Sequence, residues 1–308
     1  MASFQILLAT LNGARFLQKQ IDSLARQVAD EIHVLASDDG SQDETVEILK
    51  RAKADWSKGK FEIIKGPGQG FARNFRNLIE SSQEDADYVA FCDQDDVWMP
   101  YKCSGVAAKM LTGEARPHVL SSRTVLIDKD DKKIGLSPIQ RRAPSFRNAL
   151  LQNIAGGNTM VMNRSAFQLL RQTSDRIAPI SHDRWLYMIV TGSGGFVEYS
   201  REPTIYYRQH DNNAIGIKKQ PILKNQMWRL NHYMTGRVRA QTDMCLERME
   251  SCRHLLTDDS LAVLDAFKIL HDGDTLGSRV SALQKSGVYR NTFVGQLGLW
   301  VDCAFKLR

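Results

Sequence analysis

The chain has no run of about eighteen uncharged apolar residues, the length that a membrane-spanning helix needs. Its opening, MASFQILLATLNG, lacks a basic segment ahead of the apolar run and a small-residue cleavage site. A strand and turn are expected there, not a signal peptide. Cysteine is scarce: Cys92, Cys103, Cys245, Cys252 and Cys303 are odd in number and show no CxxC spacing. That argues against a disulfide frame or a zinc site and predicts reduced thiols in a cytoplasmic protein. No strand-like run is followed by GxGxxG, which disfavours a dinucleotide-dependent oxidoreductase. Basic and aromatic residues do not interleave, so nucleic acid is not an expected partner. Internal repeats and low-complexity tracts are missing as well. What is present over 308 residues, 43% hydrophobic and 25% charged, is ordinary globular composition and excludes disordered, collagen-like and coiled-coil chains.

Net charge is +6 and unevenly placed. Residues 1–215 hold 27 Lys/Arg against 26 Asp/Glu, whereas 216–308 hold 14 against 9. A basic surface attracts nucleic acid, anionic lipid or phosphorylated substrates; a solvated helical face explains the same modest excess equally well.

Apolar runs rich in strand formers recur at Phe4–Thr10, Ile32–Ala36, Phe61–Ile64 and Tyr88–Cys92. Between them lie stretches of helical spacing: Phe16 to Ala25, a helix opening at Ser41 or Gln42, and one over about Phe71–Ser81. This alternation predicts an α/β fold with a mainly parallel sheet and helices on both faces. Ligands of such sheets bind at the carboxyl edge of the strands. Further on, Val119–Ile127, Thr159–Met162, Phe196–Tyr199 and Thr204–Arg208 are expected strands. Asp128–Lys133 is expected to be a charged hairpin turn, and Asp183–Val190 a helix opening behind His182. From Lys218 the pattern turns helical and basic.

Asp93-Gln94-Asp95-Asp96 packs three carboxylates into four residues directly after an apolar run. Like charges this close repel, and a divalent cation with a taste for hard oxygen ligands, Mg²⁺ or Mn²⁺, removes the conflict. A solvated acidic turn that caps the next helix is the alternative. Asp38-Asp39-Gly40-Ser41 ends the second run, where a carboxylate can accept hydrogen bonds from a nucleobase or ribose, or simply shape an Asp-Gly turn. Gly66-Pro67-Gly68-Gln69-Gly70 and Arg73 can bring N–H groups and a guanidinium to a donor phosphate. Ala155-Gly156-Gly157-Asn158-Thr159 either shapes a sugar or acceptor pocket or turns the chain into a strand. Trp98 and Trp185 are sugar-stacking platforms or core residues.

Taken in order, Ala9-Thr10-Leu11-Asn12-Gly13, Ser37-Asp38-Asp39-Gly40-Ser41, Phe91-Cys92-Asp93-Gln94-Asp95-Asp96-Val97-Trp98, His182-Asp183 and Arg208-Gln209-His210 resemble the motifs of the inverting glycosyltransferases of family 2. The resemblance covers roughly residues 3–215. The acidic motif with Trp98, Pro100 and Lys102 is most similar to the rhamnosyltransferase-like branch, which builds bacterial O-antigens, capsules and other cell-wall polysaccharides. The resemblance implies a GT-A catalytic domain over 1–215 and a basic, mainly helical C-terminal extension over 216–308. It implies that Asp39 recognises a pyrimidine base beside Thr10 and Asn12, and that Asp93 touches the ribose. Asp95 would ligate Mg²⁺ or Mn²⁺ on the diphosphate, His210 would complete the metal site, and Asp183 would be the base. Many relatives carry Glu-Asp where this chain has His182-Asp183. The implied partners are a nucleotide-sugar, dTDP-rhamnose ahead of UDP-sugars, and a glycan or lipid-linked glycan acceptor at the inner face of the cytoplasmic membrane. A GT-A domain that has lost activity and scaffolds polysaccharide assembly is the alternative.

Phe293, Leu297, Trp300, Val301, Ala304 and Phe305 fall on one face of a helix, with Lys306 and Arg308 after it. Such a stripe either lies on a membrane surface as a peripheral contact, or packs on the catalytic domain or across a homodimer.

Overall fold

A computed structural model describes residues 2–82, 86–110, 113–178, 180–210 and 237–305. Four strands rich in Ile, Leu, Val and Phe, β1 (Ser3–Thr10), β2 (Glu31–Asp38), β3 (Phe61–Lys65) and β4 (Tyr88–Asp93), run parallel in the order β3-β2-β1-β4. Helices α1 (Ala14–Ala25), α2 (Thr45–Asp55) and α3 (Phe71–Ser81) connect them. Helix α2 starts later than its pattern predicts. Asp38 accepts the N–H groups of Gly40 and Ser41, and Asp43 accepts that of Thr45, so the chain is held in turns until Thr45. In the register, Ala9 is level with both Ser37 and Asp93, and Thr10 with Asp38. The first loop, the Asp38-Asp39 turn and the acidic turn therefore leave the sheet at one height.

Beyond β4 the sheet is mixed. It continues through β8 (Val161–Asn163), β6 (His118–Ile127), β9 (Phe196–Arg208) and β5 (Val97–Trp98), with β7 (Lys133–Leu136) attached to β6 across the expected charged turn. Strand β8 is antiparallel to both neighbours, and β9 runs parallel to β6. The two short strands expected at its ends are one strand whose pairing to β6 shifts register between Ser122 and Thr124. Pro203, which has no N–H to donate, lies in the stretch that the shift leaves out of register. Helices α4 (Lys102–Lys109), α5 (Phe146–Ala149), α6 (Arg164–Gln172) and α7 (His182–Gly192) complete this half. Helix α6 is an addition to the expected elements: the Asn163 side chain caps it by accepting from Ala166 N at 2.9 Å, and Phe167 and Leu170 turn inward.

Two hydrophobic layers cover the sheet. Ile6, Leu8, Leu17, Leu49 and Val106 fill the one under α1, α2 and α4. Leu7, Phe91, Trp185 and Leu186 fill the other, together with Met249, Phe267, Leu283 and Leu299 from α8 (Arg237–Ser251), α9 (Asp258–Asp272), α10 (Leu276–Ser286) and α11 (Phe293–Phe305). The boundary expected at 215/216 lies outside the described residues; the helices after it share a core with the sheet. Trp98 and Trp185 are core residues. All five cysteines are buried and unbridged, and burial pushes the Cys103 thiol up to about 12. Among the described residues no helix is long and apolar enough to cross a membrane.

Candidate active site

The three carboxylates of the acidic turn take different positions. Asp96 is fully buried; its oxygens accept from the Asn158 side-chain amide at 2.5 Å and from Arg208 N at 3.1 Å. Burial and the charges of Asp95 and Asp93 push its carboxyl well up, against the pull of those two donors. Asp95 points to the edge, with Oδ2 at 2.8 Å from His210 Nε2. Asp93 ends β4, and burial with the charges of Asp95 and Asp183 pushes it up to about 7. The turn at 157–158 joins Asp183 to the acidic turn: Gly157 N donates to Asp183 Oδ2, and Asn158 Nδ2 to Asp96 Oδ2.

Two buried cations hold the turn. Arg208 donates Nε to the Asp95 carbonyl at 2.8 Å and Nη1 to the Asp128 carbonyl at 3.1 Å, and pairs with Asp131 at 2.6 Å. Its guanidinium lies 4.4 Å from the Phe16 ring, which also packs 5.2 Å from His210. Lys102 donates Nζ to the Asn158 and Thr159 carbonyls at 3.1 and 3.0 Å, over the Trp98 ring at 4.6 Å. Burial brings Lys102 down to about 8.

On the β1–β2 side, Asp38 is a turn-builder: it accepts from Thr10 Oγ1 at 3.0 Å and Ser41 Oγ at 2.6 Å. Asp39 accepts from the N–H groups of Gly68 and Gly70 at 2.7 and 2.8 Å, which leaves each oxygen a further lone pair. Asn12 accepts from Gln42 N at 2.8 Å, and Arg73 is exposed at the start of α3, bonded to Gln69. Gln94 is a site residue that the pattern did not flag. Its amide donates to Leu11 O at 2.9 Å and accepts from Leu11 N at 2.8 Å, tying the first loop to the acidic turn as a strand partner would. A Cβ at Gly13 would fall 2.1 Å from Gln94 Oε1, so only glycine admits this approach.

Asp183 sits in the first turn of α7. Its Oδ2 accepts from Asn153 Nδ2 at 2.8 Å and Gly157 N at 3.2 Å, and its Oδ1 from Arg184 N at 2.8 Å. His182 is stacked on Phe75 at 3.7 Å and packed edge-on to Phe91, and neither ring nitrogen has a hydrogen-bond partner among the described residues. Burial brings it down to about 4, so it is a neutral spacer beside Asp183. A Cβ at Gly157 would lie 2.4 Å from its Nε2. Asn153 sits in a loop without a local signal, Asp131 was legible only as part of the charged hairpin turn, and Arg208 only as the neighbour of His210.

Among the described residues no group of three or more His, Cys, Asp and Glu gathers as a metal cage. Asp95 and His210 supply one oxygen and one nitrogen donor at the sheet edge, a set that fits Mn²⁺ or Mg²⁺ when diphosphate oxygens and water complete the shell.

The pattern of the family described as Glycosyl transferase family 2 matches residues 5–174, more than half of the chain. The chain is 24% identical over 243 residues to the dTDP-rhamnosyl transferase RfbG of Shigella flexneri, covering 72% of this chain and 81% of that one. Among solved structures, residues 1–349 of S. aureus TarS in complex with UDP-GlcNAc superpose with a TM-score of 0.54 at 14% identity over 93% of each chain. The mannosyltransferase PcManGT of Pyrobaculum calidifontis, in complex with GDP-Man and Mn²⁺, superposes with a TM-score of 0.52 at 14% identity, over all of this chain and 81% of that one. The fold they share is GT-A.

Proposed function

The chain belongs to glycosyl transferase family 2 and is a glycosyltransferase; we propose that it moves rhamnose from dTDP-rhamnose, with inversion, onto a bacterial cell-surface glycan or its lipid-linked precursor. One observation carries this reading. The Asp39 turn and the Asp95–His210 pair stand at one edge of the sheet, and the 157–158 turn, bonded to both Asp96 and Asp183, ties Asp183 to it, which gives a nucleoside, a diphosphate and an acceptor hydroxyl each a fitting group. The similarity to RfbG supports the choice of donor, with UDP-sugars second. Peripheral contact with the inner face of the cytoplasmic membrane belongs to the same reading.

In this mechanism Asp39 takes the base imide N–H on its unused lone pair, and Asp93 takes a ribose hydroxyl. Asp95 and His210 hold the divalent cation, which when bound neutralises charge on the leaving diphosphate. Asp183 accepts the acceptor proton as the new C1–O bond forms and the C1–O bond to the diphosphate breaks. Asn153 and the Gly157 N–H fix the carboxylate, and neutral His182 adds no charge beside it.

A panel of nucleotide-sugars tests this. The protein is expected to turn over dTDP-rhamnose fastest, and only with added metal. Preference for a GDP-sugar overturns the donor, full activity in chelator overturns the metal role, and tight binding without turnover leaves a scaffold.

A further inference from the structure

The apolar stripe of α11 faces away from the core. The helix is fixed through its other side: Leu299, Asp302 and Cys303 are buried, and Arg279 donates to the Cys303 and Ala304 carbonyls at 2.7 and 3.0 Å. Held this way, it presents Phe293, Val294, Leu297, Trp300, Val301 and Phe305, with Phe293 78% and Phe305 73% exposed. So many large apolar side chains on one 13-residue helix mark an interaction surface.

The segment beside it is equally one-sided in charge. Tyr289 donates to the Ala143 carbonyl at 2.8 Å and lies under the Arg142 guanidinium, and Asn291 bonds Gln140 and Gln152. These contacts lace 275–301 onto the loop before Asn153. The stretch 139–153 carries Arg141, Arg142 and Arg147 and no Asp or Glu, and Arg147 is paired with Asp259, so Arg141 and Arg142 supply the charge of this loop. Arg141, Arg142 and Ile139 of that loop are exposed.

We propose that this face docks on an anionic lipid bilayer, with the α11 stripe in the headgroup–acyl boundary and Arg141 and Arg142 on the lipid phosphates. The charge decides the occupant. In a two-fold contact with a second copy the same cationic loop would meet itself, whereas a bilayer rich in acidic lipid offers both the apolar layer and the opposite charge. The surface stands apart from the sugar chemistry; its benefit to catalysis rests on the reading of Asp183 as the base. The laced loop ends at Asn153, the ligand of Asp183, so docking sets the acceptor side next to the membrane.

Sedimentation of the full chain with phosphatidylcholine vesicles, with and without phosphatidylglycerol, tests this. Binding is expected only to the acidic vesicles, to weaken with salt, and to shift Trp300 emission to the blue. Leu297→Ser with Val301→Ser is expected to cut partitioning at least about tenfold, and Arg141→Gln with Arg142→Gln several-fold. Both variants should keep wild-type melting and donor hydrolysis. The proposal is overturned if the wild type stays in the supernatant at low salt, if the Leu297/Val301 variant binds as well as wild type, or if light scattering shows that this variant only dissolves a dimer. Vesicle binding without turnover of any nucleotide-sugar would remove the catalytic reading and leave the docking surface standing.

Discussion

In the parallel half, β3-β2-β1-β4, the groups proposed for the site stand within a few residues of the strand that delivers them: Thr10 and Asn12 at the end of β1, Asp39 after β2, Asp93 and Asp95 at the end of β4. Their partners are backbone N–H groups of adjacent turns, as with Gly68 and Gly70 on Asp39. The half that holds Asp183 is assembled over distance. Its carboxylate depends on Asn153, thirty residues away, and the loop carrying Asn153 is laced to Tyr289 and Asn291 near the end of the chain. A βαβ repeat converts sequence position into spatial position, whereas a mixed sheet with late helices does not. The side proposed for the donor can therefore be perturbed locally, while the side proposed for the acceptor is exposed to changes made far away.

Asp183→Asn should separate the halves most sharply. Loss of a general base costs about 10²–10⁴-fold in transfer, while nucleotide affinity measured by calorimetry should stay near wild type. A parallel collapse of nucleotide binding would break the distinction. Asp95→Asn attacks the other half: about 10²-fold or more is expected in metal-stimulated turnover, with Mn²⁺ titration shifted to higher concentration and melting unchanged. Asn153→Ala tests whether remote support matters. It frees Asp183 Oδ2 from one donor, and kcat is expected to fall about tenfold while donor KM holds, since the side chain removed bonds only Asp183 and the adjacent Ile154 N–H.

The smallest effect concerns stability. An unfolded histidine protonates near 6.5, whereas buried His182 resists until about 4, so the native state loses stability progressively as pH falls through that window. His182→Phe keeps the stack on Phe75 and removes no hydrogen bond. Its melting temperature should drop less between pH 6.5 and 4 than that of the wild type; an equal drop would show that other groups govern the acid limb.

The same contrast explains what could be read from sequence. Strands β1 to β4 and helices α1 and α3 follow periodicity, and the acidic turn announces itself through composition. Gln94 was hidden inside that motif because its role is to bond the Leu11 main chain, a relation no spacing encodes. Trp98 and Trp185 had the chemistry of sugar platforms, but burial turned them into core. The two ends of β9 were visible and their continuity was not, since the register shift opposite Ser122 interrupts alternation. The stripe on α11 was legible as a stripe; its outward direction depends on Arg279 gripping the far side.

The five thiols have a practical consequence. Cys92, Cys103, Cys245, Cys252 and Cys303 are all within the interior, and the reactive species in alkylation is an accessible thiolate. The folded protein is thus a silent background for maleimide chemistry. A single cysteine introduced at exposed Val294 would carry a fluorophore or spin label without prior removal of the native ones, and could report the depth of α11 against a quencher dissolved in lipid or in water.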